Sequence, residues 1–244
     1  MKRLLILGGI GDAVKLASET SQLPDLEVIY SLAGRTLKPK LPNCETRTGG
    51  FGGADGLASY VKDAKIDFVI DATHPFAATM AAHAAEACAA SNIPRVKFCR
   101  AAWKPKDFNW ISAQTYEEAA QKLSPLGKRV FLSIGTKDLD AFSALAEKWF
   151  LIRAVEEPAL PIPLLSHDIL LERGPFGEGH ERTLLVSYQI DVLVSKNSGG
   201  AEATKLQAAS DLGIPIVMIE QPGMPTGEVV GTVEDTIGWL AKQL

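Results

Sequence analysis

Short apolar runs that end in glycine or a small polar residue alternate with longer segments of helical spacing along the whole chain of 244 residues. Few folds accommodate that rhythm. Strands buried on both faces read as continuous apolar runs, and joining two parallel strands takes a long crossover, usually a helix. Residues 3–7, 27–32, 67–70 and 93–98 read as strands in the first half. Residues 129–134, 150–155, 191–195 and 214–219 do so in the second. Between them, 12–21, 76–91, 138–148, 201–212 and 233–242 carry helical spacing or helix stops. The pattern predicts an α/β fold, with two Rossmann-like lobes of parallel sheet around a ligand cleft. Pro105, Pro125 and Gly127 mark residues 103–128 as a boundary segment. Residues 1–102 then form an N-terminal dinucleotide-binding lobe, and 129–244 a C-terminal Rossmann-like lobe.

Composition removes several function classes. Twenty-five lysines and arginines against 29 acidic residues give a formal charge of −4, so nucleic acid and anionic membrane are not attracted globally. An anionic ligand would need locally gathered positive charge. Cys44, Cys88 and Cys99 form no closely spaced pair, which fits a reducing compartment without a disulfide framework. The apolar start meets Gly8, Gly9 and Asp12 with no cleavage signature, and no uncharged apolar run is long enough to span a bilayer. The expectation is a cytoplasmic protein with neither nucleic acid nor membrane as partner. No two of the four histidines have metal-ligand spacing, so no metal is expected.

The ends of the predicted strands carry the chemistry. Gly8-Gly9-Ile10-Gly11 follows the first strand and opens the first helix, where Gly9, Ile10 and Gly11 can bring backbone N–H groups to a pyrophosphate. Val14 occupies the third glycine position of the usual fingerprint, and a plain strand-to-helix turn would use the same residues. Arg35 and Thr36 follow the second strand. A basic residue there suits the extra phosphate of NADP, whereas NAD would call for a carboxylate. NADPH is therefore the expected cofactor. Gly50, Phe51, Gly52 and Gly53 suit close backbone approach to that cofactor, or a flexible turn. Thr73 and His74 lie in Asp71-Ala72-Thr73-His74-Pro75-Phe76, at another strand end. His74 is a candidate proton donor or cofactor contact, with a hydrogen-bonded loop histidine as the alternative. In the second half, Lys137 and the group Lys196, Asn197, Ser198 and Gly199 assemble cations, an amide and a hydroxyl suited to a carboxylate or phosphate. A helix cap would use similar residues.

Four of these motifs, taken in order, resemble the precorrin-6A reductase family over nearly the whole chain. They are Leu32-Ala33-Gly34-Arg35-Thr36, Gly50-Phe51-Gly52-Gly53, Asp71-Ala72-Thr73-His74-Pro75-Phe76-Ala77 and Lys196-Asn197-Ser198-Gly199-Gly200. One departure is Ile10, where a small polar residue is often found. The resemblance implies an enzyme of cobalamin biosynthesis. In that reaction a reduced nicotinamide gives hydride to one double bond of precorrin-6A, and a proton completes the dihydro product, precorrin-6B. His74 and Lys196 are then the catalytic candidates. Lys137, Arg153, Arg173 and Lys196 are candidate partners for the many carboxylates of the precorrin-6A macrocycle. Two other readings use the same features: a glycosyltransferase-like enzyme acting on sugar nucleotides, and a non-catalytic dinucleotide sensor.

Overall fold

The computed structural model describes residues 1–34, 39–105, 108–200 and 203–244. The chain divides into two compact units. Residues 1–101 and 222–244 form the first, and residues 102–221 the second.

The first unit carries strands β1 (Lys2–Leu7), β2 (Leu26–Leu32), β3 (Glu45–Thr48), β4 (Phe68–Asp71) and β5 (Arg95–Phe98). Helices α1 (Gly11–Thr20), α2 (Gly53–Asp63) and α3 (Ala78–Ala90) connect them. In the second unit are β6 (Trp110–Ala113), α4 (Tyr116–Leu123), β7 (Arg129–Ser133), β8 (Trp149–Ala154) and β9 (His167–Leu171). It continues through α5 (Glu178–Ser187), β10 (Val192–Lys196), α6 (Thr204–Asp211) and β11 (Ile216–Ile219). The chain then returns to the first unit as β12 (Glu228–Val230) and α7 (Val233–Ala241).

Both sheets are parallel throughout. The first runs β12-β5-β4-β1-β2-β3 and the second β6-β11-β10-β7-β8-β9. Read from the other edge, each has the 3-2-1-4-5-6 order of a dinucleotide-binding fold, with the order reversing between its first and fourth strands. The sixth place is filled unexpectedly in each. The first sheet takes β12 from the end of the chain, and the second takes β6 from ahead of its own first strand. The expected division is corrected accordingly. Residues 103–128 are no linker, because they hold β6 and α4, and the closing helix does not belong to the C-terminal lobe. Local prolines and Gly127 mark turns, but strand pairing is what assigns an element to a unit.

Burial explains the attachment of the C-terminal segment. Val233, Trp239 and Leu240 share a core with Leu4, Ile6, Val96 and Phe98. The Trp239 indole N–H donates to Glu228 Oε2 at 2.8 Å, which ties α7 to β12. One expected helix is shorter than its spacing suggests. Residues 138–148 form only a 3-10 turn at Leu139–Phe142, because the chain must straighten for β8. Buried Lys148 fixes that exit by donating to the carbonyls of Leu126 and Gly127, both at 2.9 Å.

Trp239→Ala should cost about 3–5 kcal/mol, the usual range for a buried tryptophan. Amide exchange should accelerate in β1, β4 and β5 but not in β7 and β10. Equal acceleration in both sheets would contradict the assignment of the C-terminal segment to the first unit.

Candidate functional site

The reversal in the first sheet lies between β1 and β4, where Leu7 stands beside Asp71. Parallel sheets bind ligands beyond the carboxyl ends of strands at such a reversal. Two loops leave from here. Gly8 to Ile10 lead into α1, and Ala72 to Ala77 lead into α3. They are joined by the Ala72 N–H, which donates to the Leu7 carbonyl at 2.9 Å. Glycine is required here by space. A Cβ on Gly8 would run into the Tyr30 ring, and one on Gly9 would lie 3.3 Å from the His74 nitrogen. At Gly11 a Cβ would meet nothing within 4 Å, so the backbone opening α1 faces open space. Ile10 is the N-cap residue, and α1 has no side-chain cap. No side chain accepts from its first N–H groups, and such a helix start can receive an anion. The Ile10 side chain packs instead on the core of the unit.

The second glycine loop joins β3 to α2. Gly52 and Gly53 adopt positive φ of 83° and 93°, and a Cβ on either would meet nothing within 4 Å. Arg47 organises this loop, a role with no signature in the sequence. Its guanidinium donates to Ser31 Oγ at 3.0 Å and to the carbonyls of Gly49 and Gly50 at 3.1 Å. It also stacks 3.8 Å from the centroid of the Phe51 ring. Phe51 is thereby a packed anchor of the loop. Arg35 and Thr36 lie outside the described residues.

Beneath the Thr73–His74 loop is a buried charge cluster. Asp71 is 0% exposed and Lys97, on β5, is 1% exposed. The Lys97 ammonium donates to Asp71 Oδ1 at 3.0 Å, to the Thr73 carbonyl at 3.0 Å and to Thr73 Oγ1 at 2.9 Å. The Thr73 hydroxyl and N–H both donate to Asp71 Oδ1, at 2.6 and 3.1 Å. Three ammonium donors meet three acceptors, so the loop backbone is held rigidly above the sheet. Thr73 is therefore occupied in fixing the loop. His74 is half-buried, and its Nδ1 accepts the Phe76 N–H at 3.2 Å. That bond places the proton of the neutral ring on Nε2.

The second sheet reverses between β7 and β10, where Ser133 pairs with Ser195. The candidates at this end behave differently from one another. Lys196 is half-buried, 3.8 Å from Asp138 Oδ2 and 5.2 Å from the Tyr116 ring centroid. Burial and the neighbouring Asp138 carboxylate push the Tyr116 phenol well above its usual range. Lys137 is exposed, and Ser198 and Gly199 continue the loop beyond Asn197. Asn197 corrects its expected ligand role, since its side chain is fully committed inside the unit. Its Oδ1 accepts the Trp103 N–H at 2.9 Å, while Nδ2 donates to the Trp103 carbonyl at 3.0 Å and to Glu220 at 2.8 Å. Arg153 is likewise occupied, with its two terminal nitrogens on the two oxygens of Glu181 at 2.8 and 2.9 Å. Arg173 lies 3.6 Å from Glu156. Among the described residues, no group of three or more His, Cys, Asp or Glu side chains could hold a metal. No described helix is long and apolar enough to cross a membrane.

Lys97→Met would leave buried Asp71 with only the longer 4.0 Å contact to Arg95 and should cost about 3 kcal/mol in denaturant unfolding. Adding Asp71→Asn removes the carboxylate that lost its ammonium and should recover part of that loss, the remainder reflecting Arg95, which keeps its charge without its partner. A single variant as stable as the parent would mean that the cluster does not hold the loop.

The fold and its strand-end loops have close counterparts. The model of the precorrin-6x reductase family (CbiJ/CobK) matches residues 3–241. A precorrin-6A reductase of Rhodococcus erythropolis is 46% identical over 243 residues, covering 98% of each chain. One from Rhodobacter capsulatus is 40% identical over 243 residues, covering 99% of this chain and 96% of its own. The solved structure of a CobK precorrin-6A reductase superposes with a TM-score of 0.93 at 40% identity, covering 100% of this chain and 97% of the other. Relatedness over the full length, at 40–46% identity, does not favour the sugar-nucleotide or sensor readings. The chain belongs to the precorrin-6x reductase family.

Proposed function

We propose that the chain reduces one double bond of precorrin-6A with NADPH, giving precorrin-6B. The observation that carries this reading is full-length relatedness to reductases named for that substrate, at 40–46% identity. The first unit suits the cofactor. Open glycine backbone at Gly11, Gly52 and Gly53, together with the uncapped start of α1, can receive a pyrophosphate. When bound, the reduced nicotinamide supplies the hydride.

The protein's own residues then have three tasks: binding, orientation and charge compensation. Arg35 and Thr36 follow β2, the position that meets the adenosine ribose in this fold. There a guanidinium can take the extra phosphate of NADPH through two parallel hydrogen bonds. Gly50, Phe51 and the Thr73–His74 loop bound the cofactor. The Nε2–H of His74 is the candidate for delivering a proton as hydride arrives. Lys196, with Lys137, Ser198 and Gly199, takes carboxylates of the macrocycle. Asn197 acts behind them by holding Trp103 and the loop in place. No residue is required as a covalent nucleophile.

The direct test mixes purified protein, precorrin-6A and NADPH, and follows nicotinamide absorbance alongside the macrocycle spectrum. Stoichiometric loss of both starting compounds is expected, and unchanged spectra would reject the reading. Arg35→Ala should raise the KM for NADPH about tenfold or more while leaving NADH nearly untouched. Lys196→Ala should raise the KM for the macrocycle by a similar factor and leave that for NADPH alone.

A further inference from the structure

A cavity of about 200 Å³ opens within the second unit, at the carboxyl ends of β7 and β8. Ser133, Arg153, Glu181 and Lys205 line it, and Pro175 and Phe176 form an apolar wall. The charges do not balance. Arg153 and Glu181 neutralise each other through two parallel hydrogen bonds of 2.8 and 2.9 Å. The Arg153 guanidinium is also held 4.8 and 4.1 Å from the ring centroids of Phe131 and Phe176, so the pair cannot swing away easily. Lys205, on α6, adds a cation beside this neutral pair. Among the described residues no carboxylate lies at ion-pair distance from it. Its ammonium instead lies 5.9 Å from the ring centroid of Trp103.

Such a cation is costly unless an anion arrives. Burial pushes the Lys205 pKa down to about 8, and Arg153 on β8 and Lys196 on β10 lower it further against the opposing pull of Glu181 on α5. The size and sign of the charge narrow the occupant. One unneutralised cation beside a neutral pair matches a monoanion and leaves the second charge of a phosphate dianion uncompensated. The apolar wall suits the methylene stem of a carboxyalkyl arm.

We propose that Lys205, with the Ser133 hydroxyl beside it and the locked Arg153–Glu181 pair behind it, is a subsite for one carboxylate arm of the macrocyclic substrate. This rests on the reading that the substrate is a polycarboxylate macrocycle. The linkage has a definite sign. A bound carboxylate raises the lysine pKa, so binding is strongest below about pH 8 and weakens as the free lysine loses its proton above it.

A binding experiment that needs no turnover tests the subsite. Lysine side chains labelled with carbon-13 at Cε are titrated by NMR, and the Lys205 signal is identified by its absence from Lys205→Arg. Uroporphyrin, a stable polycarboxylate macrocycle, serves as the probe. Its addition should move the Lys205 midpoint upward, whereas NADPH should leave it in place. A midpoint unmoved by uroporphyrin, or one moved by NADPH, overturns the proposal. In turnover, Lys205→Gln should raise the KM for precorrin-6A about tenfold or more with an unchanged KM for NADPH, and Lys205→Arg should restore most of it. An unchanged KM for precorrin-6A in Lys205→Gln also overturns the subsite. Failure of the parent protein to oxidise NADPH with precorrin-6A would instead reject the functional reading. The NMR titration is independent of that result.

Discussion

The Lys97–Asp71 pair is the constraint on which the first unit's site depends. A charged carboxylate at the end of β4 has no access to water, and an unneutralised charge there would cost several kcal/mol. Lys97 supplies the cation from the neighbouring strand, and its remaining donors fall on Thr73. The loop that presents His74 therefore cannot relax without breaking the cluster. Gly9 packs against the same loop backbone, so the two loops at the sheet reversal are positioned together. What faces outward is bare backbone and one imidazole, and the charge that fixes them stays below.

The second unit uses the same strand order with the opposite chemistry. Its reversal exposes side chains: Lys196 with Asp138 and Tyr116, and Lys205 beside a locked Arg153–Glu181 pair. Backbone donors suit the invariant geometry of a pyrophosphate. Long cationic side chains suit carboxylates spread around a ring, because they can adapt to several positions. On the proposed reading, one architecture would serve two anionic ligands by placing positive charge in the backbone of one unit and in the side chains of the other.

The α/β class was legible because parallel strands buried on both faces must be continuously apolar. The glycine loops were legible because their spacing follows a strand. What could not be read depends on distance in the chain. Lys97 looks like a lone cation in a short strand, and nothing local ties it to Asp71, 26 residues earlier. Arg153 finds Glu181 28 residues later, and Asn197 finds Trp103 94 residues earlier. Arg153 and Asn197, which looked available for ligand, are each consumed by a partner that only the fold brings near. Arg47 was hidden differently. It lies on a polar edge strand, where solvent is the ordinary expectation, yet it bonds to two loop carbonyls and stacks on Phe51. The first break was legible to within a residue, but the placing of 103–128 and 222–244 was not, because proline and glycine report turns and not strand partners.

The exchanged sixth strands bear on how the chain is made. A ribosome releases residues in order, and domains that are contiguous in sequence can finish folding before synthesis ends. Here β5 has no neighbour on one side until residues 228–230 emerge, and by then all of the second unit has been synthesised. The first unit to be started is thus the last to be completed. Until then the β5 edge is an open template for pairing with another chain. The only basic residues on that strand, Arg95 and Lys97, are both drawn inward toward Asp71 and give the edge little charge of its own. Closure of that edge makes the nascent chain's safety depend on residues that lie about 130 positions after β5.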